Sequence, residues 1–233
     1  MADIRVVMNK RDEAWLHDSD ADVAVPFEMT VYGNEAVIEY YPSAHDTVCE
    51  YVARFGEGVE LLLSREAIEW GASEFGTFLE QYGFCLSPDS ADYYINYALK
   101  ASESVHEAPV QRIFGDEELN DLTDTDIKGL CEEGYIVYAA VVYGNIVAVA
   151  NTGEPINENT KACVEIGVDT ASEHRRKGYA RACAAALIRE LHDLGYRATY
   201  ECASGNEASV RLVKSLGGSE QYKKLYFVGF RDE

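Results

Sequence analysis

The reading of this chain turns on Val164-Glu165-Ile166-Gly167-Val168-Asp169-Thr170 and on the stretch that follows it, Arg175-Arg176-Lys177-Gly178-Tyr179-Ala180. The first segment alternates and is rich in β-branched residues, so it reads as a strand ending near Thr170. From Ala180 on, Cys183, Ala184, Leu187, Ile188 and Leu191 fall at helical spacing, and Gly195 stands where a C′ glycine closes a helix. Between strand and helix lies a basic turn with a single glycine. Free N–H groups at a helix start, the positive end of the helix dipole and nearby cationic side chains together make an anion site. Its shape suits a phosphate or pyrophosphate.

Working outward, 233 residues with 47% apolar and 26% charged content are enough for one large or two small globular domains. No apolar run is long enough to span a bilayer, and Met1-Ala2-Asp3-Ile4-Arg5 lacks a signal-peptide core, so the expectation is a cytoplasmic protein without membrane attachment. Six cysteines are scattered without CxxC or metal-ligand spacing and are read as reduced core thiols, with no metal site. A net charge of −21 argues against nucleic-acid binding. Residues 161–233 hold 12 basic and 10 acidic side chains, which leaves 8 basic and 31 acidic in residues 1–160. The C-terminal part is therefore the one suited to an anionic ligand.

Residues 1–26 show charge clusters, few apolar anchors and a short helix at Asp12–Leu16. Phe27–Val31 and Ala36–Tyr41 flank Gly33-Asn34 as a hairpin, and Tyr135–Val142 and Ile146–Asn151 flank Gly144-Asn145 as a second. Both share Val-Tyr-Gly-Asn, which at a common turn type is weak evidence of duplication. Asp46–Phe55 reads as a helix, Leu61–Leu63 as a short buried strand, and Ser64 as the cap of a longer helix ended by Gly83. Tyr93–Leu99 is a strand, Ala101–Pro109 a linker, Val110–Phe114 a short strand, and Asp116–Glu133 one or two acidic helices. A strand at Arg197–Cys202, a helix at Asn206–Leu216 and a strand at Leu225–Phe230 complete the chain.

Arg175, Gly178 and Ala180, at spacings of three and two after a strand, resemble the acyl-CoA pyrophosphate loop of the GNAT superfamily of N-acyltransferases. Asn206, Ser209, Leu212 and Leu216-Gly217 are similar to the family's second motif, and the resemblance covers residues 109–233. The longer arm from Val168 to Arg175 resembles branches with an extra N-terminal domain. The resemblance implies an α/β (α+β-like) protein whose mixed, mostly antiparallel sheet is flanked by helices and splays between the strands at 164–170 and 197–202. The division is an N-terminal α/β domain of unknown role at residues 1–105 and the transferase-like domain at 106–233.

It further implies that acetyl-CoA, as acyl-donor cosubstrate, lies in that gap against the backbone of Ile166, Gly167 and Val168. The N–H groups from Arg176 through Lys177, Gly178 and Tyr179 to Ala180 would hold the pyrophosphate, with no Cβ at Gly178 to block it. Arg175, Arg176, Lys177 and Arg181 would offset its charge, and Asn206 and Ser209 would meet the pantetheine arm. Asn206 is equally a plain N-cap and Ser209 a helix-surface hydroxyl. Glu165, on one strand face with Gly167 and Asp169, is the candidate base for the amine, or a carboxylate on a solvated face.

Many family members place a tyrosine, as proton donor to the leaving thiolate, seven residues after the motif asparagine. Here that residue is Val213. Tyr222 and Tyr226 are substitutes without positional support, Cys202 reads as a core thiol, and His174 as solvated. The expected activity is an N-acetyltransferase acting on a small cationic amine by direct transfer in a ternary complex, as monomer or homodimer. The alternative is a non-catalytic acyl-CoA-binding protein. A nucleotide-binding domain is disfavoured because neither G-x-x-x-x-G-K-[ST] nor G-x-G-x-x-G occurs.

Overall fold

A computed structural model describes residues 4–17, 21–101 and 108–231. It is a mixed α/β protein with a large, mostly antiparallel set of strands flanked by helices. Two units divide the chain, and they are not successive: Met1–Asn96, Ala203–Gly205 and Gln221–Glu233 belong to the first, Tyr97–Cys202 and Asn206–Glu220 to the second. The sequence division is a single cut at 105/106, and residues 102–107 of the expected linker lie outside the described residues.

In the first unit, β1 (Arg5–Lys10) pairs in parallel with β3 (Glu35–Tyr40), which pairs antiparallel with β2 (Val23–Tyr32). Next comes β12 (Ser219–Phe230), antiparallel to β2, followed by the short β4 (Cys85–Leu86). Period-two alternation sends Phe27, Met29 and Val31 of β2, and Ala36, Ile38 and Tyr40 of β3, into the core. Helices α1 (His45–Phe55) and α3 (Arg65–Glu80) cover it. At its centre the rings of Phe27, Phe75 and Phe227 lie 4.9–5.4 Å apart. Ser64 caps α3 by accepting the Ala67 N–H.

Two expectations for this unit, and one for the cysteines of both, are corrected. Leu61–Leu63 is not a strand: Val59–Leu62 forms a helical turn, α2, with the Leu61 and Leu62 N–H groups bonded to Gly58 C=O and the Tyr51 hydroxyl on Leu62 C=O. An apolar triplet has no periodicity to decide between the two states, and tertiary packing decides it. Asp12–Leu16 yields a 3₁₀ turn at Ala14–His17, and the stretch before Pro26 contributes β1 and the start of β2. Of the cysteines, Cys183 and Cys202 are buried while Cys49, Cys85 and Cys163 are exposed.

β5 (Tyr94–Ala98) leads to the second unit, where the strand order is β11 (Arg197–Ala203), β10 (Cys163–Thr170), β9 (Asn145–Thr152), β8 (Val137–Val142) and β6 (Val110–Ile113). β10–β11 is parallel, the pairs from β10 to β6 are antiparallel, and the two-residue β7 (Asn120–Asp121) joins β9 in parallel. The expected acidic helices reduce to α4 (Ile127–Glu132), whose N-cap is Asp126. The β8–β9 turn is Tyr143-Gly144, with φ of +49° and +78°, whereas the β2–β3 turn is Gly33-Asn34 with positive φ at Gly33. One shared tetrapeptide thus makes two different turns, which removes its value as a sign of duplication.

Helix α5 (Tyr179–Asp193) lies along β8, β9 and β10 with Cys183, Ala184, Leu187, Ile188 and Leu191 buried, as the periodicity requires. Burial pushes the Cys183 thiol up to about 12. A polar lock fixes the helix: Glu190 accepts the Tyr138 hydroxyl at 2.7 Å and pairs with Arg112. Burial, and then Glu190, push the Tyr138 phenol up to about 12. Glu190→Ala strands both partners, and hydrogen bonds to charged groups are worth roughly 1.5–3 kcal/mol. The expected loss is about 2 kcal/mol in urea denaturation, with Glu190→Gln retaining part of it; an unchanged midpoint in the alanine variant would refute the lock.

Candidate functional site

The site begins where β10 changes partners. Its β11 partners run from Cys163 opposite Arg197 to Glu165 opposite Thr199, and stop there. Its β9 partners run on from Ile166 to Thr170. Gly153 N–H donates to Glu165 C=O and Ala171 N–H to Val147 C=O, so the odd-numbered residues bond toward β9. The alternation of an antiparallel ladder turns Val168 and Thr170 the other way, to the edge that β11 has left. At Thr170 the N–H goes to Asp169 Oδ1 and the C=O accepts Arg175 Nε. Val168 therefore offers its N–H and C=O to that edge.

Beyond Thr170 a 3₁₀ turn, Ser172–His174, carries the chain to the start of α5. Arg176 and Gly178 both have left-handed backbones, with φ of +59° and +84°. Nothing lies within 4 Å of where a Cβ at Gly178 would stand. Gly178 is the N-cap of α5 and its C=O takes the Ala182 N–H. The N–H groups of Tyr179, Ala180 and Arg181 thus have no intrahelical acceptor, and the turn aims them outward as an anion nest.

The facing wall is α6 (Glu207–Ser215), with Tyr200 from β11 at the base. Asn206 caps α6, its Oδ1 accepting the Ser209 N–H at 3.1 Å. Together these elements enclose a cleft of about 670 Å³ that includes Val168, Thr170, Arg175, Arg176, Gly178 and Asn206 in its lining. Among the described residues, four arginines line it, at 175, 176, 181 and 211, with Asp169 as the one acidic side chain. The Asp169 carboxylate is held by the Asp124 N–H at 2.8 Å. Arg181 Nε and His174 Nδ1 are buried there with no hydrogen-bond partner among the described residues.

Most of the residues expected from the sequence meet in this cleft: Val168, Arg175, Arg176, Gly178, Tyr179, Ala180, Asn206 and Ser209. Ile166 is buried, Gly167 packs beside Asn151, and Lys177 is exposed; none of these three is in the lining. Glu165 sits at the fork, on an exposed position of β10 outside the lining. His174 is not solvated as expected but half-buried, with its ring 6.2 Å from that of Tyr179. Thr170, Tyr200 and Arg211 were not singled out. Tyr200 alternates with Cys202, which marks a buried strand face, yet alternation alone does not say which face a helix will cover.

Residues 132–225 match the model of the GNAT acetyltransferase family. That stretch is a GNAT acetyltransferase domain. Among solved structures, a GNAT-family protein from Novosphingobium aromaticivorans aligns over 61% of this chain and 66% of its own, at 15% identity and a TM-score of 0.47. A GCN5-related N-acetyltransferase from Kribbella flavida aligns over 67% and 64%, at 13% identity and 0.43. A GNAT-family acetyltransferase from Colwellia psychrerythraea aligns over 83% and 76%, at 12% and 0.46. The chain thus spans just under two thirds of the length of the first two. No curated protein matches it.

Within the GNAT domain, Asn206 serves the helix whatever else it does. Asn206→Ala removes the cap of α6, and such losses cost about 1 kcal/mol. Denaturant unfolding should report that loss in the ligand-free protein, and Asn206→Asp should restore it. Unchanged stability in Asn206→Ala would mean the cap bond contributes nothing.

Proposed function

We propose that this protein is an acetyl-CoA-dependent N-acetyltransferase acting on a small cationic amine. The observation that carries the reading is the meeting, in one cleft, of an unpaired strand edge at Val168 with the cradle around Gly178. An extended amide-bearing arm can bond to such an edge as another strand would. A pyrophosphate fits the free N–H groups from Tyr179 to Arg181, and the arginines supply the countercharge. Arg181 adds a further cation beside that cradle. Acetyl-CoA supplies the activated acyl group as a thioester. The acidic character of residues 1–160 favours a cationic acceptor.

Glu165, at the fork of β10, is the group proposed to take the proton from the attacking amine. Orientation of the amine against the carbonyl contributes the larger share of rate. A second reading, a protein that binds acyl-CoA without turning it over, draws on Val213, which is fully buried where many relatives carry an acidic hydroxyl.

Thermal unfolding with acetyl-CoA, CoA and ATP tests binding. A ligand at a hundredfold its dissociation constant stabilises by about 2.7 kcal/mol. Stabilisation is expected with both CoA species and not with ATP. Gly178→Asp is expected to abolish it while folding normally, because aspartate is a good N-cap and tolerates left-handed backbone but puts a negative charge in the cradle. No stabilisation by either CoA species would refute the reading. Turnover with an amine panel, followed by thiol release, would remove the binding-only alternative. Glu165→Gln should then lower kcat on the order of 10²-fold without changing the thermal shift.

A further inference from the structure

The residue seven positions after Asn206 cannot donate a proton: Val213 is an aliphatic side chain with no exposed surface. Tyr222 and Tyr226 are not in the lining of the cleft, and their rings lie against Tyr32 and Tyr94. Among the described residues, one tyrosine other than Tyr179 lines the cleft, and it comes from a different element. Tyr200 on β11 is one residue beyond Thr199, the last partner of β10, so it stands at the vertex where the strands part. The residue is only 6% exposed, and its hydroxyl donates to Ser209 Oγ at 3.2 Å. Ser209 is itself fixed in the first turn of α6 by the Asn206 cap.

We propose that Tyr200 is the proton donor to the leaving thiolate of coenzyme A, held in place by Ser209. The inference rests on the acetyl-transfer reading above. As the amine nitrogen bonds to the thioester carbonyl carbon, the carbon–sulfur bond breaks and its electron pair stays on sulfur. The Tyr200 O–H proton passes to that sulfur to give the free thiol. The proton lost by the amine, taken by Glu165 and passed to solvent, balances the reprotonation of the Tyr200 phenolate. The vertex suits this task because a ligand laid along the Val168 edge ends where the strands close.

The surroundings keep the phenol protonated. Burial raises its pKa above the ordinary tyrosine value, the Ser209 hydrogen bond lowers it in part, and Cys202 and Glu165 raise it. Among the described residues, the other charged groups lining the cleft are Asp169 from β10, Arg175 and Arg176 from the loop, Arg181 from α5 and Arg211 from α6, the last paired with Glu207 at 2.8 Å; the His174 imidazole and the Tyr179 phenol line it too. A neutral phenol at working pH is the form a donor needs.

Tyr200→Phe keeps the ring and removes the hydroxyl. The expected result is a fall in kcat on the order of 10²-fold, an unchanged thermal shift with acetyl-CoA, and loss of the decline in kcat that the parent shows at high pH as the phenol ionises. A readout independent of turnover is the titration of the thiol of bound CoA, followed by its thiolate absorbance. A donor hydrogen bond favours the thiolate, so the parent should ionise this thiol at lower pH than Tyr200→Phe, by on the order of one pH unit. Ser209→Ala should fall between the two. Parent-like kcat, pH limb and thiol titration in Tyr200→Phe would overturn the role of Tyr200 and leave acetyl transfer intact. A parent protein that binds CoA but acetylates no amine would overturn both.

Discussion

A strand can share its backbone hydrogen bonds with a neighbour on each side, and β10 gives one of them up. Up to Glu165 it pairs with β11; from Ile166 onward it pairs with β9 alone. The site of the second unit depends on that exchange. A buried strand edge with unpaired groups is costly, at roughly 1–3 kcal/mol for each unsatisfied donor or acceptor. Such an edge persists when water or an extended ligand can complete it. The chain itself supplies part of the completion, since Thr170 is bonded by Asp169 and Arg175. The gap left over is the length around Val168, which limits what can dock there to something with amide-like donors and acceptors.

The end of the same strand sets the second constraint. Arg175 is tied back to Thr170, so the loop leaves β10 in a fixed direction and reaches α5 through two left-handed residues. Glycine at 178 adopts its φ without strain, while Arg176 carries a cost of about 1–2 kcal/mol for left-handed backbone. Strain of this kind is held by the rest of the unit, here by a helix locked to the sheet through Glu190, Tyr138 and Arg112. Charge follows geometry: the four arginines of the cleft sit in the only part of the sequence whose net charge is not strongly negative. Electrostatic focusing of an anionic ligand onto this cleft needs that contrast.

How much of this the sequence discloses depends on whether the deciding interaction is local. The strand at 163–170, the glycine turn and α5 are set by alternation, φ preference and helical spacing, and all were readable. The Ser64 and Asn206 caps were readable for the same reason. Non-local pairing was not. Nothing near Arg5–Lys10 announces a parallel partner at Glu35–Tyr40, and nothing in Leu225–Phe230 announces that β12 joins β2. At the site, Lys177 looked equivalent to its arginine neighbours, yet the left-handed residues on either side of it leave it outside the cleft lining. His174 looked solvated because its burial depends on how the 3₁₀ turn folds against Tyr179.

The case of Val213 shows why a motif position and a chemical role are separable. Spacing within α6 fixes which residue faces the core about two turns after the cap, and at Val213 that direction leads into packed apolar surroundings. On the proposed acetyl-transfer reading the hydroxyl need not stand on that helix; it is needed near the point where the strands part, where a ligand laid along the Val168 edge would end. Tyr200 reaches that point from β11, and its Ser209 partner stands on the first turn of α6. The strand supplies the ring and the helix supplies the orientation. A site defined by convergence of elements can keep its chemistry when one element loses its part, provided another side chain enters the same volume with the same donor.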